Sequence, residues 1–191
     1  MIETGLQFWG GGLYLLNKIF FSRMERSIPA KKRHWQIRSW IVYLIGLPAW
    51  VIIFFREHNW MAASVEAGGA MSMILGLLVS IRGKSNVPKW LDSTAFISAI
   101  AGVIYSLYDF GGITTLNQIF ELGVVIGFLW GTYLLAKQIP VGYLFFALMN
   151  LANAGLMYLQ NYQWLALQQI VSLLFVIDAY LMQKKKTLGS I

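Results

Sequence analysis

The chain has 191 residues, of which 58% are hydrophobic and only 12% are charged, and its mean hydropathy is +0.61. This composition excludes a soluble globular domain and predicts an all-α integral membrane protein. A spanning helix needs roughly 20 apolar residues, so the length allows at most about eight spans and predicts a single membrane domain over residues 1–191. The absence of cysteine excludes disulfides, thiol catalysis and Cys-ligated zinc.

Long apolar runs, bounded by charges, prolines or polar clusters, predict seven transmembrane helices. In chain order they cover about 3–21, 38–55, 60–81, 88–108, 116–136, 140–159 and 163–183. The first run is the weakest, because three successive glycines and the polar pair Asn17 and Lys18 interrupt it. The segment between the first two runs, Arg23 to Arg38, is predicted to be a basic loop that only determines topology beside lipid headgroups, with an anionic-lipid or RNA contact as the alternative.

The distribution of positive charge predicts the orientation of these seven spans. Every Lys and Arg except Arg56 falls on one face of the membrane, and Lys18 is counted with that face. By the positive-inside rule the basic face is cytoplasmic, so the N-terminus is expected outside and the C-terminus inside. The predicted location is an inner (plasma) membrane.

Two short patterns predict an internal repeat. Residues 12–18, GLYLLNK, return as residues 131–137, GTYLLAK, and the four residues from Asn59 return as the four from Gln163. The inferred repeats cover about 3–81 and 116–183, with the helix at 88–108 as a linker. Two three-helix units joined by one helix run in the same direction, and a binding site is expected between them near the midplane.

Polar residues within the spans identify candidate binding residues, because ionisable and amide groups in hydrocarbon are costly and usually face a cavity or a partner. Glu66, Glu121 and the two glutamines of the last span fall at a similar depth, and Asn150 extends that layer toward the midplane. Two aromatic residues share a helical face with Asn150 and are expected to form a wall that stacks a planar ring. The candidate substrate-binding residues are Glu66, Glu121, Asn150, Gln168, Gln169, Tyr143 and Phe146.

The second half of the chain resembles the repeat unit of the PnuC family of nicotinamide riboside transporters. The residues that carry the resemblance are Glu121, Gly127, Tyr133, Leu134, Lys137, the aromatic face ending in Asn150, and Trp164 leading into Gln169. The family has a three-plus-one-plus-three helix arrangement, similar to that of the SWEET sugar carriers. This chain departs from the family pattern at Tyr143 and Phe146, where two tryptophans are usual, and at Gly46, where an asparagine is usual. Glu66 and Gln169 look exchanged between the halves.

The resemblance implies facilitated uptake of a pyridine nucleoside, which intracellular phosphorylation then traps. A SWEET-like carrier of a sugar or another nucleoside, and a membrane scaffold without transport, remain alternatives. The sequence has no HExxH and no Gly-x-Ser-x-Gly pattern, so we expect no catalytic residue, no metal site and no cofactor. The expected partners are a small-molecule substrate and membrane lipids but no nucleic acid, and homo-oligomerisation stays open.

Overall fold

A computed structural model describes residues 2–56, 58, 60–109, 111 and 113–188, and the side chains of these residues except 2–4, 60, 61 and 187. The described residues form seven α-helices, one short 3₁₀ turn and no strand. The helices are α1 (Ile2–Arg26), α2 (Pro29–Arg56), α3 (Trp60–Arg82), α4 (Lys89–Asp109), α5 (Leu116–Ala136), α6 (Gly142–Leu159) and α7 (Gln163–Leu188). The turn Lys84–Asn86 lies between α3 and α4.

Six of these helices, α2 to α7, are long and apolar enough to cross a membrane. The prediction of an all-helical integral membrane protein is therefore confirmed. Helix α1 falls outside this set, although its 25 residues are long enough. Its glycines, together with Gln7, Asn17 and Lys18, lower the hydropathy of its central stretch.

The predicted basic loop from Arg23 to Arg38 is mostly helical. Helix α1 continues to Arg26 and α2 already begins at Pro29, so only Ser27 and Ile28 separate them. Proline is favourable in the first turn of a helix, because its missing N–H has no intrahelical partner there. The prediction was wrong because it assigned structure from apolar runs, whereas a helix continues through charged residues outside the hydrocarbon.

Six helices pack as a closed ring, and α4 lies outside it. Around the ring, α1 contacts α2, α2 contacts α3, α3 contacts α5, α5 contacts α6, α6 contacts α7, and α7 returns to α1. Within the described chain, α4 packs against α3 and α5 alone. Helices α1 and α7 run in the same direction, since Gly11 meets Gln168 and Arg26 meets Asp178. The polar stretch of α1 is therefore covered by protein on two sides.

Two glycines of α3 allow aromatic rings to enter the middle of the ring of helices. A Cβ atom at Gly76 would collide with the indole of Trp40, and one at Gly69 would collide with the ring of Phe128. Gly68 is different, because a Cβ atom there would meet only the carbonyl oxygen of Ser98, at an ordinary contact distance of 3.8 Å. Gly69 and Gly76 thus allow α3 to pack closely against aromatic rings of α5 and α2.

A layer of buried aromatic residues crosses the bundle near its middle, and we call it the aromatic layer. It consists of Phe21, Trp40, Tyr43, Tyr143 and Phe146. The ring of Phe21 lies 5.4 Å from that of Trp40 and 5.9 Å from that of Tyr143, and the rings of Tyr43 and Phe146 lie 6.1 Å apart. These edge-to-face contacts join helices α1, α2 and α6. The layer divides the interior of the bundle into two compartments.

An ion pair and several hydrogen bonds link the helices at the end of the bundle at which α1 ends and α2 begins, which we call the basic end. Asp178 accepts hydrogen bonds from Ser22 and Arg26 and forms an ion pair with Arg26. The guanidinium of Arg33 donates to the last carbonyl groups of α3. These contacts link α7 to α1 and α3 to α2.

Candidate functional site

A polar cavity of about 210 Å³ lies on the other side of the aromatic layer, surrounded by all six ring helices. Five of the seven predicted site residues line it: Glu66, Glu121, Asn150, Gln168 and Gln169. They come from α3, α5, α6 and α7, which supports the argument that polar groups at one depth converge. The cavity extends toward the end of the bundle that holds the α2–α3 and α6–α7 connections, where Phe54, Ala62 and Gln160 line it.

The two aromatic residues predicted to wall the site are elsewhere. Among the described residues that line the polar cavity, neither Tyr143 nor Phe146 is present. Both share the helical face of Asn150 as expected, but at 1.5 Å per residue Tyr143 lies about 10 Å and Phe146 about 6 Å nearer the start of α6. They therefore belong to the aromatic layer beneath the cavity. The face was predicted correctly and the depth was not.

Four other aromatic residues wall the polar cavity. Tyr14, Trp50, Phe54 and Phe128 come from α1, α2 and α5. The rings of Trp50 and Phe54 are stacked at 5.8 Å, which is the expected contact for residues four apart on a helix. That spacing was visible in the sequence, where it could have been taken as a second aromatic face.

Two carboxylates of the polar cavity have different surroundings. The hydroxyl of Tyr14 donates to Glu66 Oε2 at 2.7 Å, and the tyrosine ring packs on Tyr43 at 4.6 Å. Glu66 is therefore held in place by α1. Glu121 is half-buried and has no hydrogen bond or ion pair to any described residue, so its carboxylate is available to a solute.

Lys18 also lines the polar cavity, although the sequence assigned it to the cytoplasmic basic face. The side chain is only 1% exposed and donates to Asn17 Oδ1 at 3.0 Å. Its Nζ lies 3.9 Å from the ring centre of Phe146 and 4.4 Å from that of Tyr43. The available signal was a lysine inside a predicted span, one turn after Tyr14, which should have been interpreted as an intramembrane charge.

Some of the polar groups that line the cavity have hydrogen-bond partners and others do not. Asn150, 1% exposed, donates through Nδ2 to the carbonyl of Phe146, while its Oδ1 has no hydrogen-bond partner among the described residues. The indole N–H of Trp50 is likewise without one. Gln168 instead donates to the carbonyl of Gly11 at 2.7 Å and joins α7 to α1. A buried polar group without a partner costs about 1 to 3 kcal/mol, so the free acceptor and the free donor favour a polar occupant.

A second compartment of about 590 Å³ opens at the basic end, and we call it the basic vestibule. Glu25, Lys32, Arg33 and Tyr143 are among the residues that line it. The buried carboxylate of Glu25 accepts from Lys32 at 2.8 Å and from the hydroxyl of Tyr143 at 3.0 Å. The aromatic layer lies between this vestibule and the polar cavity, since Phe21 and Tyr143 line the first while Lys18 and Asn150 line the second.

No protein-family model, curated protein or solved structure matches this chain. The described residues contain no group of three or more His, Asp or Glu that could hold a metal ion. What the site offers is hydrogen bonding, charge and aromatic surface, which suit the binding of a small solute.

Proposed function

We propose that this protein is a membrane transporter that facilitates the uptake of a pyridine nucleoside, such as nicotinamide riboside or a related vitamin precursor. The observation that carries the proposal is the division of the interior into two compartments by the aromatic layer. A carrier needs a binding cavity that is accessible from one side of the membrane and closed toward the other. A membrane scaffold would not need a polar cavity that is closed at one end by such a layer.

The size and chemistry of the polar cavity support a small solute with a ring and several hydroxyl groups. A volume of about 210 Å³ is below the roughly 300 to 1,000 Å³ of sites for drug-sized ligands. The aromatic walls suit a planar ring, and the carboxylates and amides suit ribose hydroxyls. A sugar would use the same polar groups without needing Trp50 and Phe128, which is why a nucleoside is favoured over a SWEET-like sugar substrate.

The proposal includes seven spans, arranged as two parallel three-helix units with α4 as the linker. Its support is the contact pattern: α1–α2–α3 and α5–α6–α7 are connected alike, and the closing contacts α3–α5 and α7–α1 correspond. Helix α1 is proposed as a span because it packs along α2 and α7. The orientation, with the N-terminus outside an inner membrane, rests on the positive-inside rule and would direct the basic vestibule to the cytoplasm.

Counterflow into proteoliposomes tests the function. Vesicles preloaded with unlabelled nicotinamide riboside should accumulate the labelled compound transiently and saturably, without an ion gradient or ATP. A panel of nucleosides and monosaccharides run in parallel tests the substrate class. Counterflow of a sugar alone would favour the SWEET-like alternative. Absence of counterflow for the whole panel, with folded protein in the vesicles, would contradict transport and favour a scaffold.

A further inference from the structure

Lys18 is a buried cation without a carboxylate partner. Glu66 is near enough to interact with it electrostatically, but no carboxylate of the described chain lies within 4.0 Å of its Nζ. An ammonium group has three N–H donors, and among the described residues Asn17 alone accepts a hydrogen bond from it. Burial of a charge is costly unless it is paired and hydrogen-bonded. The position therefore has unused capacity to bind an anion or a strong acceptor.

The ammonium group is also fixed in place at the floor of the polar cavity. Asn17 donates to the carbonyl of Ser39 at 2.9 Å and so cannot turn away from the lysine. The rings of Tyr43 and Phe146 lie against Nζ on the side of the aromatic layer. Since the rings close the inner side and Lys18 lines the cavity, its remaining donors can be reached only from the cavity.

We propose that Lys18 determines specificity by binding a carboxylate of the solute at the floor of the polar cavity. The inference rests on the proposed function and narrows it to a zwitterionic solute, a pyridine nucleoside that carries an acid group. The aromatic faces at the floor already hold the lysine's own cation, so a second cation there is disfavoured. The carboxylates of Glu66 and Glu121 instead receive the positive ring nitrogen nearer the opening. An amide in place of the solute's acid would lose the charge-assisted hydrogen bond.

The test compares two matched pairs of probes on the purified full-length protein. The pairs are nicotinate riboside with nicotinamide riboside, and nicotinate with nicotinamide, each measured by equilibrium binding and by the shift in Tm. We expect the wild type to prefer each acid over its amide by about 10-fold or more, as for hydrogen bonds to charged groups. Lys18→Met and Lys18→Gln should abolish the preference, and Lys18→Arg should retain it.

Lys137 provides the control, because it occupies the position of Lys18 in the repeated pattern and lies outside the cavity. Lys137→Met should keep the acid-to-amide ratio of the wild type. A purely structural role for Lys18 would lower the affinity for acid and amide equally, leaving the ratio unchanged. The ratio is read in whichever neutral variant unfolds within a few degrees of the wild type.

Equal affinity for acid and amide in the wild type, or a preference that persists in Lys18→Met or Lys18→Gln, would overturn the assignment. Counterflow distinguishes this from failure of the function. If nicotinamide riboside is transported but acids are not bound more tightly than their amides, the proposed function is supported and the proposed role of Lys18 is contradicted. An acid preference that depends on Lys18, without counterflow of either riboside, supports the role of Lys18 and removes the proposed transport.

Discussion

The pattern of a tyrosine followed one turn later by a lysine occurs in α1 and in α5, and the two copies face different parts of the molecule. Tyr14 binds Glu66 and, with Lys18, lines the polar cavity. Tyr133 donates to Asp92 at 3.0 Å, and Lys137 binds the other oxygen of Asp92 at 2.8 Å. Asp92 belongs to α4, outside the ring of helices.

The two copies of the pattern differ in the helix that supplies their carboxylate. Each tyrosine and lysine pair lies beside a carboxylate, but that of the second pair belongs to α4, outside the ring of helices, although the side chain of Tyr133 is itself buried. Both copies place a tyrosine and a lysine near a carboxylate, but only the first copy lines the polar cavity. The second anchor of the repeat adds nothing to this, since Asn59 and the side chain of Trp60 lie outside the described residues and Trp164 is 83% exposed.

The largest expected difference in solute binding is between the variants that neutralise the carboxylates beside the two tyrosine and lysine pairs. Glu66→Gln keeps a hydrogen-bond acceptor for Tyr14 but removes a charge from the polar cavity, so solute binding should weaken by about 1.5 to 3 kcal/mol. Asp92→Asn makes the same change beside Tyr133 and should leave binding unchanged. Equilibrium binding of the counterflow substrate measures both. Equal losses in the two variants would mean that the two pairs are not functionally different.

The second prediction contrasts two asparagines. Asn150→Leu removes the free acceptor of the cavity and should weaken binding by about 1 to 3 kcal/mol, because a donor on the solute loses its partner. Asn117→Leu, at the exposed start of α5, should change binding little. Binding to folded Asn150→Leu with wild-type affinity would remove the proposed site.

The smallest expected effect is the contribution of the ion pair between Lys137 and Asp92 to stability, and its dependence on pH. The hydrogen bond to Asp92 raises the pKa of Lys137, which lies just beyond the end of α5. A raised pKa means that the stabilisation is fully present below the ordinary lysine value of 10.5 and is lost as pH rises through the folded-state pKa. Because both side chains are more than a third exposed, the contribution should stay below about 1 kcal/mol.

Thermal unfolding of the wild type and Lys137→Met at several pH values checks this. The wild type should be slightly more stable at neutral pH, and the difference in Tm should shrink toward pH 11. A difference that grows with pH would show that the ion pair is not its source.

The sequence predicted the helices and most of the cavity residues for physical reasons. Hydropathy locates spans because apolar runs must match the hydrocarbon thickness, and depth along a helix follows from a fixed rise per residue. That is enough to bring Glu66, Glu121 and Asn150 to one level. It was not enough for Tyr143 and Phe146, because the position of the cavity floor depends on which rings from α1 and α2 fill the bundle below it.

The position of Lys18 shows a second limit of prediction from the sequence. Near the end of an apolar run, a lysine can extend to the headgroups or turn inward, and the sequence around it is the same in both cases. The choice depends on Asn17 being held by α2 and on rings contributed by α2 and α6. Those contacts join residues far apart in the chain, so the sequence indicates a charge within the span but not the direction in which its side chain turns.

Glu25 and Asp178 are two carboxylates that join the halves of the chain at the basic end. The carboxylate of Glu25 binds Lys32 of α2 and Tyr143 of α6, so it fastens the first half of the chain to the second. Separating the two halves at that end requires the bond between Glu25 and Tyr143 and the bonds of Asp178 to break. In the proposed carrier these contacts would oppose opening at the basic end, whereas the residues of the polar cavity would hold the solute. Affinity and speed would then be governed by different places in the molecule, and each could change without the other.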